Sequence, residues 1–301
     1  MRRLVGITLI VISAATFGTL AIFGRYAYAS GMGVTTILFL RFLISAGVMS
    51  ALLVARGERI PRGPVLIALI GMGALGYVGQ SLAYFSALKH ASAGLVALLL
   101  YLYPAFVAIL SVVVLHEGLT RIKVLALAVA LTGTALTVGP AGGELPGIVL
   151  AISAAAIYSG YIIVGSRVMR QVSAIQSSTV IFASAGVVFA AMTALSGPTW
   201  PITAAGWWAI GGMVVLGTVV PVVTFLAGIE RIGPTNAAMV STLEPVVTVV
   251  LATVLLGETL QPIAIAGGML ILTGVLLLAR AELRNADVSP TEITGQQEPA
   301  S

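Results

Sequence analysis

Residues 86–120 of this chain return at 227–261. Pro104 answers to Pro245 and Glu117 to Glu258, both at the same offset (245 − 104 = 141). Each copy holds a polar turn, a long apolar run with a proline near its middle, and a Glu where the run ends. A duplicated unit of this size constrains the fold before any other reading, because both copies must build the same substructure. The duplication reaches beyond this stretch. Ala14-Ala15-Thr16-Phe17-Gly18 matches Ala155-Ala156-Ile157-Tyr158-Ser159, and Leu131-Thr132-Gly133 matches Leu272-Thr273-Gly274, at the same offset. Ser45-Ala46-Gly47-Val48 meets Ser184-Ala185-Gly186-Val187 with the offset slipped to 139 (184 − 45 = 139).

Ten apolar segments lie within the two copies: 4–23, 34–54, 64–86, 92–115, 122–139, 146–165, 174–195, 206–228, 235–256 and 262–280. A bilayer crossing takes about 20 apolar residues as a helix. Continuous apolarity argues against barrel strands, which alternate polar and apolar residues over about ten residues. Composition agrees, with 59% apolar and 8% charged residues, against about 25% charged in an ordinary soluble domain. The breaks carry turn chemistry at 57–61, 139–143 and 196–198. Met1-Arg2-Arg3 before an apolar run resembles a signal peptide but lacks a convincing cleavage site, so it is read as a retained first helix.

Each copy holds five segments, and five is odd, so the second copy must enter the membrane from the opposite side. The expected fold is therefore all-α and integral to the membrane. Ten transmembrane helices form two inverted five-helix repeats, 1–140 and 141–283, around a central cavity near the midplane. Residues 284–301 form a polar cytoplasmic tail without apolar period, expected to be disordered. With the N-terminus inside, twelve of the 15 Lys and Arg fall on inner segments. Only Arg25 and Lys89 fall outside, and Arg41 lies within a span. This bias puts both termini in the cytoplasm. Trp200, Trp207 and Trp208 gather at one outer loop, as an interfacial belt would.

Composition and motifs exclude several functions. The net charge of +5 is scattered singly between apolar runs, which argues against nucleic acid. With no cysteine there are no disulfides, thiol nucleophiles or thiolate metal sites. His90 and His116 fall at loops, too far apart to suggest a metal site, and nothing points to a cofactor. Gly71-Met72-Gly73-Ala74-Leu75-Gly76 matches GxGxxG but lies within a span with no preceding strand, so these small residues are read as permitting close helix contact. No Walker, HExxH or GxSxG motif is present. An intramembrane lipid enzyme would need an acid–base or nucleophile cluster, and a channel a filter or charged ring; neither is visible.

The pattern resembles the ten-helix EamA-like group of the drug/metabolite transporter superfamily. The first copy carries it through Ala87-Leu88-Lys89, Ser92-Ala93-Gly94, Pro104 and Glu117. The second does so through Arg231-Ile232-Gly233, Leu243-Glu244-Pro245, Gly257-Glu258 and Gly274. The resemblance covers nearly the whole chain. It implies alternating access without ATP in a bacterial-type inner membrane, and export of amino acids or related metabolites. Multidrug transport, or uptake or exchange of a phosphorylated metabolite, is the alternative. The implied partners are the lipid bilayer and a small molecule, an amino acid or an amphipathic metabolite or drug. A single copy of the chain is the expected unit. Phe17-Gly18 stands where the family often has Trp-Gly or Trp-Ser, a departure that alters the pocket surface.

The residues themselves suggest where a pocket forms. Tyr77, Gln80, Ser81 and Tyr84 share one helical face by their i, i+3, i+4, i+7 spacing. Tyr101 and Tyr103 flank Pro104, Tyr158 and Tyr161 lie three apart, and Phe17 is the repeat counterpart of Tyr158. Such aromatic walls suit amphipathic or cationic molecules. The bland alternative is tyrosines that only bond between helices. Pro104 and Pro245 each remove a helix hydrogen bond and are expected to kink or hinge their spans. Glu244 is the acidic residue deepest in a span, roughly 14 Å from its end at about 1.5 Å per residue. A carboxylate there must be paired, wetted or protonated. Proton coupling and a structural bond to Ser241 or Thr242 are both open. Arg41 either snorkels to the outer surface or turns inward towards Glu244 or a substrate carboxylate. Glu117 and Glu258 are read as helix-terminal structural residues.

Overall fold

The computed structural model describes residues 2–87, 90–91, 96, 99–116, 118–138, 144–256 and 262–287. Among them the chain is helical, with no strand. The first copy contributes α1 (Arg2–Phe17), α2 (Leu20–Ala29), α3 (Val34–Ala55), α4 (Pro64–Gly71), α5 (Val78–Ala87), α6 (Tyr103–Leu115) and α7 (Arg121–Val138). The second contributes α8 (Leu145–Val168), α9 (Ala174–Ser196), α10 (Ala204–Val214), α11 (Val220–Ile232), α12 (Pro234–Val240), α13 (Glu244–Leu256) and α14 (Pro262–Asp287). Two π-helical segments, Met72–Tyr77 and Val215–Val219, join α4 to α5 and α10 to α11, and a 3-10 turn, Ser241–Leu243, joins α12 to α13.

Seven helical stretches are long and apolar enough to cross a membrane, from Arg2–Ala29 to Pro234–Leu255. Tyr103–Leu115 and Ile265–Leu278 are shorter apolar helices. α14 continues to Asp287, into the first residues of the polar tail. Lys89, Ser92-Ala93-Gly94, Glu117, the 139–143 break, Gly257-Glu258 and the tail from 288 lie outside the described residues.

The two copies pack against each other helix by helix. α9 lies along α3, α14 along α7, α11 along α1, and α8 along α5. Glycines set the closest seams. A Cβ on Gly133 would stand 2.6 Å from the Gly267 carbonyl and 2.7 Å from the Ile271 nitrogen. A Cβ on its repeat counterpart Gly274 would stand 2.8 Å from the Ala126 carbonyl and 3.1 Å from Ala130. Ala126 and Ala130 are themselves the counterparts of Gly267 and Ile271, so the contact is reciprocal. As numbers rise along α7 they fall along α14, so the helices run antiparallel.

Loops close the ends. Ser173 caps α9 through a capping box, accepting from the Gln176 amide at 3.1 Å while its own amide donates to Gln176 Oε1 at 3.0 Å. Its hydroxyl also bonds Glu58, and Gln176 Nε2 donates to the Arg59 carbonyl at 2.9 Å, which ties two loops on one side. On the other side the Gly33 amide donates to Thr199 Oγ1, and the Ile202 amide to the Ser30 carbonyl at 3.3 Å. Gly233 alone separates α11 from α12, and its φ of 78° is one that a side chain would resist.

Replacing Gly133 or Gly274 by Val drives a side chain into the facing backbone. We expect a loss of about 1–3 kcal/mol, read as a lower unfolding temperature in detergent. Gly47→Ala, where a Cβ meets nothing within 4 Å, should be neutral or mildly stabilising.

Candidate functional site

Helical irregularity in this chain is concentrated within a few spans. The helical path is broken between α1 and α2 at Gly18-Thr19, before α6 at Tyr101-Leu102, and between α12 and α13 by the Ser241–Leu243 turn. The π segments lie between α4 and α5 and between α10 and α11. Both prolines were expected to kink continuous helices. Instead each stands in the first turn of a new helix, Pro104 in α6 and Pro245 in α13. At that position the missing N–H has no intrahelical partner to lose, so proline starts a helix without distorting it.

The π segments occupy equivalent places in the two copies. Gly71-Met72 and Leu75-Gly76 recur as Gly212-Met213 and Leu216-Gly217, and Tyr77 corresponds to Thr218. This match at the common offset is the sequence signal that marks both. The GxGxxG glycines do permit close contact: a Cβ on Gly73 would run into the Ile181 carbonyl.

A π turn shifts the i−4 bonding register by one residue and frees a carbonyl. Arg41 uses that opening. Its Nε donates to Thr218 Oγ1 at 2.7 Å and its Nη2 to the Gly217 carbonyl at 3.1 Å. Thr218 Oγ1 in turn donates to the Met213 carbonyl at 2.8 Å. The guanidinium lies 4.9 Å from the Phe42 ring centroid and 5.9 Å from that of Tyr77. Arg41 is only 5% exposed, so it turns inward and does not snorkel.

The predicted tyrosines assemble into one aromatic chain. Tyr77 meets Tyr161 edge-on at 5.5 Å, Tyr161 stacks on Tyr158 at 5.9 Å, and Tyr158 meets Tyr103 at 4.9 Å. Tyr103 continues to Tyr101 at 6.4 Å. Phe42 joins Tyr77 at 5.1 Å, and Phe225 stacks on Tyr158 at 6.4 Å. Neither phenylalanine was picked out from sequence, since both look like ordinary core residues. Each aromatic pair adds about 0.5–1.5 kcal/mol beyond area burial. Ser81 donates to Gln80 Oε1 at 3.3 Å, beside Tyr77 on the same helix face. Tyr84 packs away from this chain, against Ala87, Val96 and Ala151. Phe17 is half-buried against the main core.

Glu244 opens α13 and is half-buried. The hydroxyls expected to hold it are committed elsewhere: Ser241 donates to the Ala237 carbonyl at 2.9 Å and Thr242 to the Met239 carbonyl at 2.7 Å. Among the described residues no side chain hydrogen-bonds its carboxylate. Arg41 interacts with it electrostatically without a contact ion pair. The backbone here is pinned by close approach. A Cβ on Gly18 would meet the Glu244 carbonyl at 3.2 Å, and Thr248 Oγ1 bridges the Gly18 and Glu244 carbonyls at 3.2 and 3.1 Å. The counterpart contact is made by Ser159, in the place of Gly18, whose hydroxyl reaches the carbonyl of Tyr103, in the place of Glu244, at 3.2 Å.

A cavity of about 580 Å³ lies between the end of α6 (Val114, Leu115, His116), the end of α8 (Ser166, Arg167, Arg170) and the α11–α12 junction (Ile229, Glu230, Gly233, Pro234). His116 ends α6 with φ 56°, and Arg167 Nη2 donates to the Val114 carbonyl at 2.8 Å. His90 does not line this cavity and lies 3.4 Å from the Glu144 carboxylate. No cluster of three metal-ligating side chains occurs among the described residues.

Residues 4–139 and 145–280 each match the model of the EamA-like transporter family. The chain is 25% identical over 289 residues to the uncharacterized transporter YcbK of Bacillus subtilis, covering 90% of this chain and 92% of that one. It is 28% identical over 277 residues to an uncharacterized transporter of Archaeoglobus fulgidus, covering 90% and 95%. A probable terminal-alkyne amino-acid exporter of Streptantibioticus cattleyicolor is 25% identical over 266 residues, covering 84% and 86%. A solved structure described only as "Crystal structure of protein" superposes with a TM-score of 0.77 at 26% identity, covering 92% and 97%.

Thr218→Val keeps the side-chain shape but removes both hydrogen bonds of the hydroxyl. The Arg41 Nε then loses its partner inside the bundle. We expect a loss of about 1–3 kcal/mol, measured by thermal unfolding in detergent.

Proposed function

Because the chain belongs to the EamA-like transporter family, we propose that it exports amino acids or related small metabolites by alternating access between two inverted five-helix halves. It is a multi-pass membrane transporter and not an enzyme. The observation that carries the finer reading is the meeting of Tyr77, Tyr101, Tyr103, Tyr158 and Tyr161 with Arg41 at the level where helices from both copies are broken. Transporter sites are built where discontinuous helices meet between repeats.

In this reading residues 1–140 and 141–283 are the two halves. The reciprocal Gly133 and Gly274 contacts, and those of Gly18 and Ser159, favour a two-fold relation between them. Phe17, Tyr77, Gln80, Ser81, Tyr84, Tyr101, Tyr103, Tyr158 and Tyr161 line the substrate path. Glu244, Arg41, Pro104 and Pro245 serve coupling or gating. Both termini lie in the cytoplasm, and the cavity beside Arg167 and Arg170 is the cytoplasmic vestibule. Amino acids are favoured as cargo by the exporter from Streptantibioticus cattleyicolor and by the single cation at the site. A phosphorylated substrate would call for several basic residues there.

Proteoliposomes loaded with labelled neutral amino acids should release them when they contain the protein and retain them when they do not. Movement of a drug or a phosphorylated metabolite with no amino-acid efflux overturns this assignment. Glu244→Gln separates two roles for the carboxylate. A flattened pH profile of efflux with unchanged substrate affinity marks a proton carrier, whereas a tenfold or greater loss of affinity marks a substrate contact.

A further inference from the structure

The cavity between α6, α8 and the α11–α12 junction carries charge for which amino-acid transport has no use. α6 and α8 pack side by side and run in the same direction. Ser159 of α8 reaches the Tyr103 carbonyl at the start of α6, and further along Arg167 Nη2 reaches the Val114 carbonyl near its end, at 2.8 Å. Both helices therefore finish on one side, at the cavity. On α6, Ile109, Val112 and Val113 are exposed apolar side chains on one helical face, and His116 continues their i, i+3, i+4, i+7 spacing into the cavity wall. Val164 of α8 is also exposed, one turn before Arg167. On the outside of a membrane bundle such faces lie against acyl chains. An apolar track thus leads from the bilayer to a basic pocket.

The basic groups there are not used up by the protein. Arg167 spends one of its five N–H groups on the Val114 carbonyl. Arg170 makes no hydrogen bond or ion pair among the described residues. Glu230 also lines the cavity, but Arg2 meets it at 3.3 Å and Arg231 at 3.4 Å, so the two arginines of α8 stay uncompensated. Leu115, Ile229 and Pro234 form an apolar wall beside them. The volume, about 580 Å³, is that of a small-molecule site rather than a packing gap.

We infer that this cavity binds the phosphate of an anionic phospholipid, held by Arg167 and Arg170, with an acyl chain along the Ile109, Val112 and Val113 face of α6. Guanidinium forks match phosphate oxygens in geometry as well as charge, and basic pockets between membrane helices take lipid head groups. Continuity with the apolar face favours a lipid over a free phosphate, because a free ion gains nothing from that face. The inference goes beyond the transport reading and holds whatever the cargo is.

The test is binding to the purified, delipidated full-length protein by native mass spectrometry. The probes are phosphatidylglycerol, phosphatidylcholine with the same acyl chains, and inorganic phosphate. Phosphatidylglycerol should bind about tenfold or more tightly than phosphatidylcholine, and the double variant Arg167→Gln/Arg170→Gln should lose that preference. Arg56→Gln/Arg59→Gln removes two cations on the same side that do not line the cavity, and should keep the preference within about twofold. Equal binding of the two lipids, or an unchanged preference in the Arg167/Arg170 variant, overturns the site. An equal loss in both double variants reduces it to general surface charge and overturns it too. If inorganic phosphate binds as tightly as phosphatidylglycerol, the apolar face contributes nothing and the lipid assignment falls. Should loss of the Val114 bond unfold the Arg167/Arg170 variant, Arg170→Gln alone decides, with a loss of about threefold or more expected. A failure of amino-acid efflux overturns the cargo and leaves this result standing.

Discussion

Away from water, each backbone N–H and C=O must find a partner within the protein, and an unmet one costs several kcal/mol. Most of this chain meets that demand by forming uninterrupted apolar helix. Where it does not, side chains from the opposite copy supply the missing bonds. Arg41 of α3 reaches the Gly217 carbonyl in the second copy, Ser13 of α1 donates to the Pro221 carbonyl at 2.8 Å, and Ser159 of α8 donates to the Tyr103 carbonyl. The irregular backbone is therefore also where the copies are stitched together. A site placed there can have polar groups in an apolar bundle because the fold has already arranged partners for them.

The same positions bring sequence, packing and chemistry into register. Glycine at 133 and 274 lets α7 and α14 approach until backbone meets backbone. Glycine at 18 does the same beside Glu244, whereas Ser159 in the equivalent place makes a hydrogen bond instead. The seam between α7 and α14 is made of small residues on both sides and holds no member of the aromatic chain. The aromatic chain is drawn instead from the helices that contain breaks or π turns and from α8 packed against them.

Much of this was legible in the residues. Apolar runs of bilayer length and a constant offset were enough for the helical class and the duplication, because both depend on composition and spacing alone. The tyrosine set was legible because polar aromatics in such runs are few and fall at helical spacing. Three features were not. A π turn is a one-residue slip with no composition of its own, so Thr218 and Gly217 stayed hidden although Gly-Met and Leu-Gly recur around them. A proline reads alike as a kink or as a helix start, and only the turn before it, at Tyr101-Leu102 or Ser241–Leu243, separates the two. The isolation of Glu244 depends on where the Ser241 and Thr242 hydroxyls point, which is a matter of rotamers and neighbouring carbonyls.

The paired π segments have a further consequence. In the alternating-access reading proposed above, identical halves would make the inward-open and outward-open forms equal in energy and equally populated. The copies differ at matched positions: Tyr77 corresponds to Thr218, and Tyr103 stands where the other copy has Glu244. Arg41, seated on Thr218 and Gly217, has Val180 rather than a second arginine at the matching position of the other copy. A latch present in one half alone loads the equilibrium, and a difference of about 1.4 kcal/mol is already a tenfold bias. In the alternating-access reading, the resting direction is set by a handful of mismatches between two otherwise matching copies.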